Sequence, residues 1–255
     1  MRILLLLLML TLQANNISAQ LNTENEPGCL EKCNHAHLSS RAPQALYYQY
    51  PSMDKYDVKY LKLDLAAEAG SRFISGKSTT KALVLQPIDS FIIEFKSTMV
   101  LDSVYINGVK KAFTRSADHI YVALSPALQA GTTVTAIFYY YGTASSNAVY
   151  AGTVASNGLT YTATLSESYQ AREWFPVKQS LSDKIDSADI WVKTSSINKV
   201  GSNGLLVAVV DSPNNKKQYQ WKTKYPMNYY LPSISIGNYL DYTNYAKPAE
   251  MAPDS

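Results

Sequence analysis

Side chains able to do nucleophilic, acid–base or metal chemistry are sparse in this sequence. Among 255 residues there are three histidines, His35, His37 and His119, and two cysteines, Cys29 and Cys33. No histidine is followed by glutamate, so H-E-x-x-H is absent, and neither G-x-S-x-G nor G-x-x-x-x-G-K-[ST] occurs. Cys29, Cys33, His35 and His37 form one cluster of soft ligands, a donor set suited to zinc or copper. The competing reading is a small local disulfide or two free thiols beside solvated histidines. A structural zinc usually draws ligand pairs from two separated elements, whereas these four share one polar stretch, so no metal is expected on this chain. His119 lies in the alternating run Ala117–Leu124 and reads as an ordinary strand residue.

The densest run of unusual residues is Leu165-Ser-Glu-Ser-Tyr-Gln-Ala-Arg-Glu-Trp-Phe-Pro176, followed by Ser182-Asp183-Lys184. Glu167, on a loop beside a strand, can hold an ammonium group through a charge-assisted hydrogen bond. Arg172 is expected to brace that loop through a carboxylate such as Asp183. The alternative is a solvated Glu167 with a rim ion pair worth about 0–1 kcal/mol. No catalytic residue is expected in this chain.

Short alternating runs must position these residues. Leu61, Leu63 and Leu65 share one face of Tyr56–Leu65, with Lys62 and Asp64 on the other, which is the period of a half-buried strand. Further runs follow at Arg72–Leu85, Ser90–Phe95, Met99–Ile106, His119–Leu124 and Thr132–Tyr141, with Asn107-Gly108 as a type I′ hairpin signal. Residues 142–158 read as a loop or weak hairpin. A second series runs through Leu159–Leu165, Ile185–Lys193, Gly204–Val210, Tyr219–Lys222 and Tyr229–Ile236. Past the N-terminal apolar segment, no stretch of helical length holds a helical period. Twenty tyrosines against six phenylalanines agree with sheets. The expectation is one all-β unit, a sandwich or pair of sheets. Tyr47-Tyr48, Tyr139-Tyr140-Tyr141 and Tyr229-Tyr230 read as strand positions with the hydroxyl at the rim, rather than as a sugar platform.

The N-terminus carries Arg2, an apolar run Ile3–Leu12 and a small residue, Ala19, before Gln20. That is the pattern of a cleaved signal peptide over 1–19; about 20 apolar residues are needed to span a bilayer, and this run is half that. Secretion or export to the periplasm follows, with no membrane span after signal removal. Residues 20–52 read as a flexible leader and 53–245 as the β-domain. The Pro-punctuated tail 246–255 reads as a truncated linker towards a further domain. The net charge of +3 is small and Lys/Arg runs do not exceed two residues, which argues against nucleic acid as a partner.

The order of segments resembles the N-terminal domain of the aminopeptidase N family of zinc metallopeptidases. Tyr56-Asp57-Val58-Lys59-Tyr60 with Leu63-Asp64-Leu65 resembles its opening strand, and Ile74-Ser75-Gly76 its I-x-G turn. Leu101–Gly108 resembles its V-x-V-N-G hairpin, and Ser202-Asn203-Gly204-Leu205 its S-N-G turn. Ala171-Arg172-Glu173-Trp174-Phe175-Pro176 with Ser182-Asp183-Lys184 resembles the A-R-x-W-F-P-C…x-D-K core signature, with Val177 in place of the cysteine. Trp221, Tyr225-Pro226-Met227, Tyr230-Leu231 and Ile236-Gly237-Asn238-Tyr239 resemble the closing strand.

This resemblance implies a saddle-like β-sandwich of antiparallel and mixed sheets, packed on a catalytic domain that carries the G-x-M-E-N loop and the zinc. It implies that Glu167, five residues before Arg172, binds the free α-amino group of peptide substrates. Arg172, Trp174, Pro176, Asp183 and Lys184 would be the structural signature around it. Zinc is implied for the full-length enzyme, held by the partner domain and not by this chain, which alone is expected to hydrolyse nothing. The alternative is a non-catalytic secreted interaction module that keeps the fold.

Overall fold

Period-two alternation in the sequence becomes seventeen strands among the described residues, 50–241 of the computed structural model. The signal segment, Cys29, Cys33, His35, His37 and the tail 246–255 lie outside the described residues. In chain order the strands are β1 (Tyr56–Ala67), β2 (Phe73–Val84), β3 (Ile88–Glu94), β4 (Val100–Ile106), β5 (Val109–Lys111), β6 (Thr114–Ser116), β7 (His119–Leu128) and β8 (Thr133–Thr143). They continue as β9 (Val149–Thr153), β10 (Thr160–Thr164), β11 (Lys184–Ile185), β12 (Ser187–Ser195), β13 (Lys199–Ser202), β14 (Leu205–Ser212), β15 (Lys216–Thr223), β16 (Met227–Asn228) and β17 (Ile234–Gly237). Two single-turn 3-10 helices, Pro51–Lys55 and Ala171–Glu173, complete the elements.

Eight strands form one sheet in the order β14-β15-β12-β1-β2-β8-β4-β5, in which β1 and β12 run parallel and the other neighbours antiparallel. A four-stranded sheet (β13-β17-β10-β9), a three-stranded sheet (β3-β7-β6) and the pair β11-β16 accompany it. The smaller sheets lie against one face of the large one. Phe91 of β3 stacks between Tyr56 of β1 and Phe138 of β8, with ring centroids 4.8 and 6.3 Å apart. Trp221 and Tyr219 of β15 donate to the carbonyls of Val200 and Asn198, which ties the four-stranded sheet to the same face. Leu61, Leu63 and Leu65 are buried there, each worth about 1.5–3 kcal/mol against exposure. The all-β architecture of antiparallel and mixed sheets is as expected from the sequence.

Local signals explain most boundaries. Asn107 and Gly108 both take left-handed backbone angles, φ 50° and 82°, as a type I′ hairpin between β4 and β5 demands. Gly76, at φ 149°, faces the Asp64 carbonyl so closely that any Cβ would collide with it. Residues 142–158 hold a hairpin arm, with β9 pairing β10. One expectation fails: Tyr229–Ile236 is not a single strand. Pro232 has no N–H for a ladder, and Tyr229 turns its ring inward, so pairing resumes only at Ile234.

Candidate functional site

The loop 165–170 leaves β10 and enters the 3-10 turn Ala171–Glu173, and it is anchored on both sides of Glu167. Ser166 is buried and its Oγ accepts from Trp174 Nε1 at 2.8 Å. The Ser168 carbonyl accepts from the hydroxyl of the buried Tyr229. Trp174, fully buried, packs edge-on against Phe175 with ring centroids 4.6 Å apart. Ser166 O accepts from Gln170 N at 3.1 Å and closes the loop on itself. Glu167 is exposed between these two anchors, and the Glu167–Ser168 peptide is cis. An acid that enters solvent from two fixed neighbours is held in place without losing its hydration.

Arg172 is tied down on every side. Its N–H donates to Gln179 Oε1 at 3.2 Å and its carbonyl accepts from Lys96 N at 2.8 Å. Its guanidinium donates to Glu94 Oε2 at 3.1 Å and lies 3.7 Å from Asp118 Oδ2. Glu94 also accepts from Gln179 Nε2 at 3.0 Å, and its backbone bridges in both directions to Val177. The expected Arg172–Asp183 brace is therefore not formed, and the partners are Glu94 and Asp118. The cause is the buried segment 174–180, which carries Arg172 towards the end of β3 and Asp183 towards the start of β1.

Burial pushes the Glu94 carboxyl up to about 7, against the pull of Arg172 and Gln179. Its Oε1 has no hydrogen-bond partner among the described residues. Burial works the same way on Asp118, but the Ser97 N–H and Lys96 outweigh it and hold this carboxyl below its usual range. Lys96 spans Asp118 and Glu173 at 3.5 and 3.4 Å. His119 stands on β7 opposite Glu94, and burial and Arg172 push its imidazole down.

Asp183 forms a second buried pair, with Lys178 Nζ at 2.6 Å, and also accepts from Val58 N at 3.2 Å. Lys178 donates as well to the Tyr56 carbonyl at 2.6 Å. This pair pins the signature segment to β1, while the Glu94 pair pins it to β3. Pro176 is buried between the two, and Lys184 is exposed on β11. Glu94, Lys178 and Gln179 were missed by sequence reasoning. Glu94 had a signal, since an acid inside the apolar run Phe91–Phe95 needs a buried partner; Lys178 and Gln179 had none.

The peptidase M1 N-terminal domain model matches residues 47–231, nearly three quarters of the sequence. The chain belongs to that family. Its fold is similar to the M1 zinc metallopeptidase of Deinococcus radiodurans, with a TM-score of 0.63 and 21% identity over 72% of this chain and 42% of that one. A variant of that enzyme bound to a Tyr-Ser-Ala substrate matches with a TM-score of 0.62 and 20% identity, over the same 72% and 42%. Yeast leukotriene A4 hydrolase gives a TM-score of 0.60 and 19% identity over 80% of this chain and 32% of that one. The chain thus spans about two fifths of the bacterial enzyme and a third of the yeast one. No curated protein matches the sequence.

The Deinococcus relatives are zinc metallopeptidases, so the donor set of this M1 N-terminal domain bears on whether it holds the metal. His119 is the one histidine among the described residues, and no group of three His, Cys, Asp or Glu residues there can hold an ion. The acids nearest to it, Glu94 and Asp118, are already matched by Arg172 and Lys96. These residues do not fit zinc.

Proposed function

We propose that this chain is the N-terminal β-domain of a secreted or periplasmic zinc-dependent aminopeptidase. In that reading it serves as scaffold and, through Glu167, binds the free α-amino group of peptide substrates. The observation that carries it is the anchoring of Ser166 by Trp174 and of Ser168 by Tyr229, which leaves the intervening carboxylate exposed at a fixed position. A carboxylate held so favours a ligand ammonium through a charge-assisted hydrogen bond and discriminates against a blocked N-terminus, whose amide carries no charge. Zinc and the acid–base group would come from a catalytic domain, the partner this domain packs against. That family members act on peptides supports the substrate class, as does the Tyr-Ser-Ala complex of the Deinococcus enzyme.

The test joins this chain to an M1 catalytic domain and compares Glu167→Ala with the parent on free and N-acetylated peptides. Preference for the free N-terminus should fall by about tenfold or more, the size of a lost charge-assisted bond. An unchanged preference would remove Glu167 from the site. The chain alone should release no amino acid from a chromogenic substrate.

A further inference from the structure

The large sheet has a second face that the smaller sheets do not cover. On β1, Tyr60, Lys62 and Asp64 alternate with the buried Leu61, Leu63 and Leu65, so they point away from the core. Register carries this face across the sheet: Asp64 stands beside Trp191 of β12 and Lys77 of β2, and Lys77 beside Tyr139 of β8. Tyr139 and its same-face neighbour Tyr141 are 38% and 45% exposed.

Two features set the face apart. Charge is the first: its central rows hold six lysines (62, 77, 81, 110, 193 and 222) against Asp64 and Asp189. Both acids are engaged, Asp64 by Lys77 and Gln218, Asp189 by the Tyr60 hydroxyl and Lys222. Among the described residues, Lys62, Lys81, Lys110 and Lys193 have no carboxylate within ion-pair distance. The second feature is that ammonium groups stand over rings: Lys62 over Trp191 at 3.0 Å, Lys81 over Tyr60 at 5.4 Å and Lys77 over Tyr139 at 5.8 Å. Lys59 lies at one end of this field between Asp57 and Asp186, and an acidic margin begins there.

We propose that this face binds an anionic polysaccharide. Its lysines supply a positive field for carboxylate or sulfate groups, while Tyr139 and Tyr141 offer ring surface to the apolar faces of sugars. The row Gln220–Trp191–Asp64–Lys77–Tyr139 crosses five strands, about 19 Å at the usual strand spacing, which suits an extended polymer. A depression of about 260 Å3 bordered by Asp64, Lys77, Tyr139 and Lys193 gives one seat for a sugar unit along it. A lipid surface fits less well at the centre of the face, where the exposed rings are tyrosines with their hydroxyls and where Phe73 and Leu205, 47% and 75% exposed, are confined to the margins. The signal-peptide pattern of residues 1–19 favours a glycan over nucleic acid, since it directs the chain away from the cytoplasm. This inference does not depend on Glu167 and can fail or stand without it.

Titration of the full chain with a sulfated polysaccharide, a polyuronate and a neutral glucan tests it. Both acidic polymers should bind and the neutral one should not. Lys81→Glu with Lys193→Glu, two lysines without ion-pair partners, should weaken binding about tenfold or more at low salt and flatten its salt dependence. Tyr139→Ala should weaken polysaccharide binding at any salt, with the thermal melt confirming that both variants fold. Equal binding of a charge-matched single-stranded DNA, or of anionic phospholipid vesicles, would overturn the proposal. So would wild-type affinity in the double lysine variant.

Discussion

Charged residues beneath the Glu167 loop and charged residues on the outer sheet face behave in opposite ways. Under the loop, each is taken from water and matched: Arg172 meets Glu94 and Asp118, and Lys178 meets Asp183. On the outer face, lysines rest over aromatic rings in contact with solvent and outnumber the acids. Desolvation decides the difference. A buried charge that loses its partner costs several kcal/mol, so the inner set fixes geometry. An exposed one costs almost nothing to leave unpaired, so the outer set is free to act as a field.

Glu94→Ala should test the inner half of this contrast most severely. It takes from Arg172 its nearer carboxylate and leaves Asp118 at 3.7 Å, and because the guanidinium side chain is 23% exposed the loss should not exceed the lower end of the buried-pair range, about 3 kcal/mol by urea unfolding. A loss below about 0.5 kcal/mol would make the network as slack as the surface. Trp174→Phe removes the bond to Ser166 and part of a buried ring, and should cost about 1–2 kcal/mol. In the joined enzyme it should also erode the preference for free N-termini, because one anchor of Glu167 is gone.

A smaller effect concerns pH. Glu94 has its carboxyl raised from 4.5 to about 7, so between those values the folded protein binds more protons there than the unfolded chain. Stability from this group is complete below about 4.5 and is lost as pH rises through about 7. Glu94→Gln keeps the shape and does not titrate, so stability relative to wild type should climb across that window. A flat difference would show that Arg172 already keeps Glu94 ionised. Least of all, Lys81→Glu should change unfolding free energy by no more than about 0.5 kcal/mol, since Lys81 is exposed and makes no ion pair among the described residues. A larger change would erase the distinction between the two regions.

Much of the fold could be read from local pattern. Leu61, Leu63 and Leu65 announced a strand and the face it buries, and Asn107-Gly108 announced its turn. The stretch 165–176 was visible as unusual because Arg, Trp and Pro crowd beside an acid. What failed there was partnership. Asp183, eleven residues from Arg172, was the near acid in sequence, but Glu94 is the partner although it lies 78 residues away. Nearness along the chain says little when a buried irregular segment separates two residues. Charge counting failed in a similar way: a net charge of +3 without long basic runs gave no sign of a basic face.

The sequence by itself determined the strands, the hairpin, the family and the acid flanked by serines. These depend on alternation, on turn chemistry and on motifs a few residues long, all of which act over short distances. Only the tertiary structure decided which charges are buried together and which stand in a row. Sheet order and register settle that, by placing β12 beside β1 and β3 against the 171–179 segment. Neighbours across strands are chosen by the packing of the whole core, and no local stretch of sequence carries that information.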